Sequence, residues 1–340
     1  MMQDNQQQQV SLSVIVPCYN VEPYLDRTFR CLERQWNGRT DYEIILINDA
    51  STDGTIGKIN DFKQRFPNNV VVIDKKVNQG AAEARNSGLD VARGEWIVFF
   101  DPDDALVDNG YAQLLDMVHD RNLDILSFEV EIVPDNEWDD TMTHKVLNPV
   151  IEWEGTAQDY MLKHHYGTSI KFFFKRKMLM VHRFKPLIFL EDLVFVLPIF
   201  LSEAWLGLTD AKVYFYILRA SSATNMIDPK RLNKGCDDIL TAIKFMEQCK
   251  QGHSDAIQAR IGERQAFYRD NLITRLMLSD KGFNELRHHR DEINKLTIPC
   301  NRLNGFKGQL YGFLFNHPVL MQTFRPIYRG IRILHSNFFH

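Results

Sequence analysis

At 340 residues, with 40 Lys and Arg against 44 Asp and Glu, a formal charge of -4 and 44% hydrophobic residues, the chain reads as globular, either one large domain with an appendage or two smaller ones. Charged residues at 25% and aromatics at 11% exclude a disordered or fibrous chain, and the near-neutral charge gives no field that would draw in nucleic acid. Five cysteines, odd in number and without a CxxC, argue against a disulfide framework or a cysteine zinc site and fit a reducing compartment.

The first hundred residues alternate apolar runs with helical patterns. Leu12–Val16 is a β-rich run ended by Pro17, after which Asn20 is expected to cap a helix near Glu22–Arg34. Glu43–Ile47 is a second strand, followed by the polar turn Asn48–Gly54 and a helix to about Phe66. Val70–Ile73 is a third strand, Asn78-Gln79-Gly80 opens a helix over Ala81–Ala92, and Trp96–Phe100 is a fourth strand running into Asp101-Pro102-Asp103-Asp104. Continuous apolar strands are covered on both faces, so the alternation predicts an open α/β sheet with parallel connections. In such sheets ligands bind beyond the carboxyl ends of the strands. Further on, Ile125–Ile132, Ile170–Phe174 and Lys212–Ile217 read as strands and a helix starts near Glu191-Asp192; beyond about Asp228 the pattern is helical.

Asp101, Asp103 and Asp104 put three carboxylates into four residues at a strand end, and that much negative charge calls for compensation. A divalent cation, Mg²⁺ or Mn²⁺, suits hard oxygen ligands and commonly shares its coordination with substrate phosphates. The plain alternative is a solvated acidic turn that caps the next helix. Asp49, after the second strand, can accept a hydrogen bond from an N–H of a bound base such as uracil N3, or can cap a helix together with Ser51 and Thr52. Arg85 offers a guanidinium fork to Asp49, to the Asp101–Asp104 cluster or to a phosphate. No GxGxxG follows a strand and no GxxxxGK[ST] occurs, which disfavours a dinucleotide enzyme or a P-loop NTPase.

Four blocks in order, Ser13–Asn20, Ile47–Thr55, Asn78–Gly88 and Gly94–Asp104, resemble the opening motifs of family 2 glycosyltransferases. The resemblance covers roughly residues 11–222. It implies a GT-A fold, Rossmann-like with a mostly parallel sheet and helices on both faces, inverting chemistry, and a nucleotide-diphosphate sugar donor, with a UDP-sugar the leading expectation. Carried over residue by residue, it places Pro17, Tyr19 and Asp49 around the base, Asn20 among the nucleotide-sugar-binding residues, Arg85 near the nucleotide, and Asp101, Asp103 and Asp104 at the metal–diphosphate site. The family usually has Asp-Asp where this chain has Asn48-Asp49, and a small residue where it has Pro102. Phe189–Phe195 resembles the Glu-Asp block whose aspartate is the general base, which makes Asp192, with Glu191 beside it, the expected catalytic pair. Tyr214–Ser222 resembles the strand and loop that follow, with Arg219 a candidate to close over the diphosphate.

The expected division is a catalytic domain over 1–225 and a helical region over 226–340. The segment from Lys295 carries six Lys and Arg, no Asp or Glu, and interleaved aromatics. One reading is peripheral contact of residues 301–340 with an anionic membrane, suited to a lipid-linked acceptor; the other is a helical cap with a solvated basic face. The Gln-rich start lacks the basic region of a signal peptide. The longest apolar run, Leu193–Leu201, contains Pro198 and falls short of the roughly 20 residues that a spanning helix needs. A cytoplasmic enzyme is therefore expected, at the inner face of the membrane if the tail binds lipid. Its expected partners are a nucleotide sugar and a saccharide or lipid-linked glycan hydroxyl, with no nucleic acid. Two other classes compete: a non-catalytic scaffold of the same fold, and a sugar-phosphate nucleotidyltransferase, whose Gly-rich loop after the first strand is absent here.

Overall fold

The computed structural model describes residues 9–164, 166–219, 229–296, 298 and 313–326. The chain divides into two compact units, one comprising Met1–Pro186 with Glu191–Ser222 and the other Leu187–Leu190 with Ala223–His340.

The first unit begins with β1 (Leu12–Cys18), α1 (Leu25–Glu33), β2 (Tyr42–Asn48), α2 (Thr55–Arg65), β3 (Val70–Asp74), α3 (Ala81–Val91) and β4 (Trp96–Phe99). Then come β5 (Ala105–Leu106), α4 (Gly110–His119), β6 (Ile125–Pro134), β7 (Ile151–Thr156), α5 (Ala157–Lys163), β8 (Phe172–Lys175), α6 (Arg176–Leu179), α7 (Glu191–Phe200) and β9 (Trp205–Leu218). The described residues form one nine-stranded sheet in the order β3-β2-β1-β4-β8-β6-β9-β5, with β7 on β9. As the apolar runs predict, β1, β2, β3 and β4 are mutually parallel, and every residue of β1 and β2 is buried. Glycine lets α3 lie close on this layer: a Cβ at Gly88 would come within 2.6 Å of the Ile15 side chain.

Beyond β4 the sheet departs from the parallel pattern. β8 runs antiparallel to both β4 and β6, while β6 and β9 pair in parallel. Two reversals restore the direction of β4, so the carboxyl ends of β1, β2, β4 and β9 share one side of the sheet. Pro17 does not end β1; it sits buried in the strand, opposite Ile47. Asn20 does not cap α1, whose N-cap is Tyr24. It adopts φ 50 and ties two loops together, accepting from the Thr52 N–H (2.8 Å) while its own N–H donates to Ser51 Oγ (3.1 Å).

The second unit contains α8 (Pro229–Cys249), α9 (Asp255–Leu278), α10 (Phe283–Asn294) and two short helical stretches, 313–316 and 318–326. Of the tail 301–340, only 313–326 lies among the described residues, so most of the proposed membrane segment falls outside them. Within that stretch Leu314, Phe315 and Met321 are buried. Arg325 is buried too, and donates from Nε (2.9 Å) and Nη2 (2.6 Å) to the Leu276 carbonyl at the end of α9. It satisfies a terminal helix carbonyl, which is a folding role and not that of a lipid-facing cation. No helix among the described residues is long and apolar enough to cross a membrane.

Candidate active site

Asp49 follows β2 and is buried. Its carboxylate accepts from the Gln79 N–H (3.1 Å to Oδ2) and the Gly80 N–H (2.7 Å), and pairs with Lys75 Nζ at 2.8 Å. Gly80 holds φ 87 as the N-cap of α3, a conformation that glycine adopts without penalty. The carboxylate thus serves the unpaired amides and the positive end of α3, not those of α2 as a local cap would. Beside it Asn48 donates from Nδ2 to Asp74 (2.7 Å), while Tyr19, at the end of β1, is half-exposed.

Arg85, on the second turn of α3, is buried with its guanidinium among three carboxylates. Nη2 donates to Asp101 Oδ1 at 2.9 Å, while Nη1 reaches Glu191 Oε1 at 3.4 Å and Asp192 Oδ1 at 3.7 Å. An aromatic stack fixes this meeting of α3, the end of β4 and the first turn of α7. Asn86 Nδ2 donates to the Phe184 carbonyl and the Phe184 N–H donates back to Asn86 Oδ1, both at 2.9 Å. The Phe184 ring then lies 5.4 Å from the Arg85 guanidinium and stacks on Phe195 of α7 at 3.8 Å, with Phe99 edge-on to both. Such pairs add about 0.5–1.5 kcal/mol each beyond their burial.

The Asp101–Asp104 carboxylates point to different partners. Asp101 meets Arg85. Asp103 pairs with Arg219, which also donates to the Asp103 carbonyl (2.7 Å), as does Arg27 (2.6 Å); the Arg219 guanidinium lies 4.5 Å over the Tyr24 ring. Arg219 is therefore a buried partner of the acidic turn and not a surface side chain. Asp104 turns into the protein, where Tyr214 Oη donates to Oδ2 at 2.6 Å and the Ile217 N–H to Oδ1 at 2.9 Å. Burial pushes its carboxyl up to about 8. Of the three carboxylates expected at a metal, Asp104 has both oxygens engaged in joining the turn to β9. Among the described residues no three His, Cys, Asp or Glu side chains form a ready-made ion cage. Asp101 and Asp103, each partly exposed, remain as hard oxygen donors. That set fits an Mg²⁺ or Mn²⁺ held by one or two carboxylates together with substrate phosphates.

The Tyr214 hydroxyl also accepts from the Asp101 N–H (3.3 Å), so it serves both ends of the turn. Tyr214→Phe is expected to lower stability by about 1–3 kcal/mol, the cost of leaving a buried acceptor short of a donor, read as a lower urea midpoint at unchanged slope. An unchanged midpoint would mean that Asp104 does not depend on this hydroxyl.

Glu191 and Asp192 open α7 side by side. Burial and the neighbouring carboxylate push Glu191 up to about 7, with Arg85 opposing. Burial likewise raises Asp192, again opposed by Arg85. The residue before them, Leu190, has φ 63, a strained conformation for a branched side chain. Sequence reasoning missed Lys75, Arg27 and Ser169, whose hydroxyl donates to Asp192 Oδ1 at 2.8 Å. The two cations had a weak signal in their proximity to the motif blocks; Ser169 had none.

A mostly parallel sheet that presents carboxylates and buried arginines at its strand ends is the architecture of GT-A transferases. Crystal structures of S. aureus TarS 1-349 share it. The one in complex with UDP aligns with a TM-score of 0.63 at 16% identity, over 95% of this chain and 91% of that one, and the one with UDP-GlcNAc at 0.60 and 18% over 84% and 82%. The chain belongs to glycosyl transferase family 2, whose family model matches residues 13–183. Curated relatives include the minor teichoic acid biosynthesis protein GgaB of Bacillus subtilis (strain 168), 32% identical over 47% of this chain and 18% of its own length. Another is the poly(ribitol-phosphate) beta-glucosyltransferase of Bacillus spizizenii, 25% identical over 69% of this chain and 37% of its own length. The matches thus span well under half of either relative.

Proposed function

We propose that this glycosyltransferase moves a sugar, with inversion, from a UDP-sugar to a hydroxyl of a saccharide or polyol-phosphate polymer of the cell envelope. The observation that carries the reading is the buried Arg85, which binds the donor-side carboxylate Asp101 and the Glu191–Asp192 pair in one cluster. Inversion in one displacement needs a base on the acceptor side of the anomeric carbon and charge stabilisation on the leaving-group side. This cluster joins carboxylates suited to the two tasks.

Asp192 takes the proton of the acceptor hydroxyl as its oxygen attacks, and Glu191 shares the local charge. Asp101 and Asp103 would hold a divalent cation, which when bound supplies positive charge to the departing diphosphate. Arg219 leaves Asp103 to meet the diphosphate, and Tyr19 lies against the base. Asp49 holds the start of α3, and its carboxylate faces the base through whatever acceptor capacity Lys75 and the two amides leave. The TarS complexes with UDP and UDP-GlcNAc, and the two relatives' roles in teichoic acid and poly(ribitol phosphate) chemistry, support the donor and acceptor classes.

The test is a panel of UDP-sugars with Mn²⁺ or Mg²⁺, read by chromatography for released UDP and by calorimetry for binding. At least one donor is expected to be bound and slowly hydrolysed without acceptor, and faster with a ribitol-phosphate or glycan acceptor. Absence of binding to every UDP-sugar in both metals overturns the proposal.

A further inference from the structure

We infer that Ser169 is a positioning residue for the general base: its hydroxyl locks the orientation of the Asp192 carboxylate that receives the acceptor's proton. This rests on the proposed role of Asp192.

Asp192 stands in the first turn of α7, where an aspartate side chain has several rotamers open to it. Ser169 holds the Asp192 carboxylate twice, its Oγ donating to Oδ1 at 2.8 Å and its backbone N–H donating to the same carboxyl group, while Arg85 Nη1 stands 3.7 Å from Oδ1. The Arg85 contact is an ion pair at long range, shared with Asp101 and Glu191, so it sets charge more than angle. The Ser169 contact is a short hydrogen bond from a side chain with no solvent exposure. Held by both the hydroxyl and the backbone of one residue, the carboxylate keeps a single orientation towards the incoming acceptor.

Ser169 is itself well anchored. It lies three residues before β8, which pairs with β4 on one side and β6 on the other, and the Lys171 carbonyl accepts from the Phe128 N–H at 3.1 Å. β4 leads directly to Asp101. The sheet that places the donor-side carboxylates therefore also places the hydroxyl that orients the base, and the two catalytic ends keep a fixed separation. The charged groups facing Asp192 are Arg85 from α3, Asp101 after β4, and Glu191 beside it on α7; Ser169 is a neutral donor among them.

Three variants test this with the best donor and acceptor found. Ser169→Ala is expected to lower kcat by about tenfold, the scale of one hydrogen bond to a charged group, with donor KM and calorimetric UDP affinity unchanged. The acidic limb of its pH–rate profile is expected to move to higher pH, because a lost donor disfavours the ionised carboxylate. Ser169→Thr, which keeps the hydroxyl, is expected to restore both. If Ser169→Ala has wild-type kcat and pH profile while Asp192→Asn is inactive, the positioning role is overturned and the base remains. An active Asp192→Asn overturns the base assignment itself. A fall in Ser169→Ala activity that merely tracks a loss of folded protein and of UDP affinity also overturns the positioning role.

Discussion

Replacing Asp192 by Asn is expected to reduce kcat by about 10³-fold, within the 10²–10⁴ that a positioned general base contributes, while UDP affinity stays within a few-fold of wild type. The substitution is nearly isosteric: Asn can still accept from Ser169 Oγ, so the local geometry at the start of α7 survives. What disappears is the ability to take a proton in the transition state. Glu191→Gln is the necessary companion. The two carboxyls are adjacent, both raised, and share Arg85, so their protons leave as a pair. If Glu191 only shares the charge, its amide loses less than Asp192→Asn and moves the acidic limb to lower pH, because one negative neighbour is gone. If Glu191→Gln is the dead variant and Asp192→Asn turns over, the base is Glu191. In wild type, with both carboxyls raised by burial, the acidic limb of activity is expected to lie above the ordinary carboxylate range.

Arg85, Asp101, Glu191 and Asp192, which the structure brings together, were legible in the sequence because they lie in short, distinctive blocks, and the parallel half of the sheet was legible because its strands are continuous apolar runs. What the chain could not announce locally is direction. Asp101, Asp103 and Asp104 are chemically alike and nearly adjacent; only Tyr214 and Ile217, more than a hundred residues away, decide that Asp104 turns inward. The antiparallel insertion of β8 between β4 and β6 leaves no local mark either, since Phe172–Lys175 has the same apolar character whichever way it runs. β5 is two residues long, and β7 alternates half-buried with exposed positions at the sheet edge, too short or too polar for a pattern search. Ser169 is one serine among others until the fold brings it to Asp192.

Arg85 is the position whose loss is expected to damage the fold most. Arg85→Gln keeps much of the volume but leaves Asp101, Glu191 and Asp192 facing one another without their cation. Each is at most about a quarter exposed, with side-chain exposures of 27%, 20% and 21%. Breaking a buried ion pair by removing one partner costs about 3–5 kcal/mol, which in a unit of this size lowers Tm by roughly 10 °C. The loss has a pH signature. Glu191 is raised in the folded state from an ordinary 4.5 to about 7, so its contribution to stability is complete below about pH 4.5 and is lost as pH rises through 7. Without the opposing guanidinium the cluster binds its protons more tightly. The gap between Arg85→Gln and wild type is therefore expected to be largest at pH 8 and to narrow towards pH 5, where protons replace the missing positive charge. Thermal melts of both proteins at the two pH values measure it. A destabilisation that is equal at pH 5 and pH 8 would mean that Arg85 acts through its packing against Phe184 and not through charge. The carboxylates would then have to be neutralised some other way for donor and acceptor sides to share one cluster.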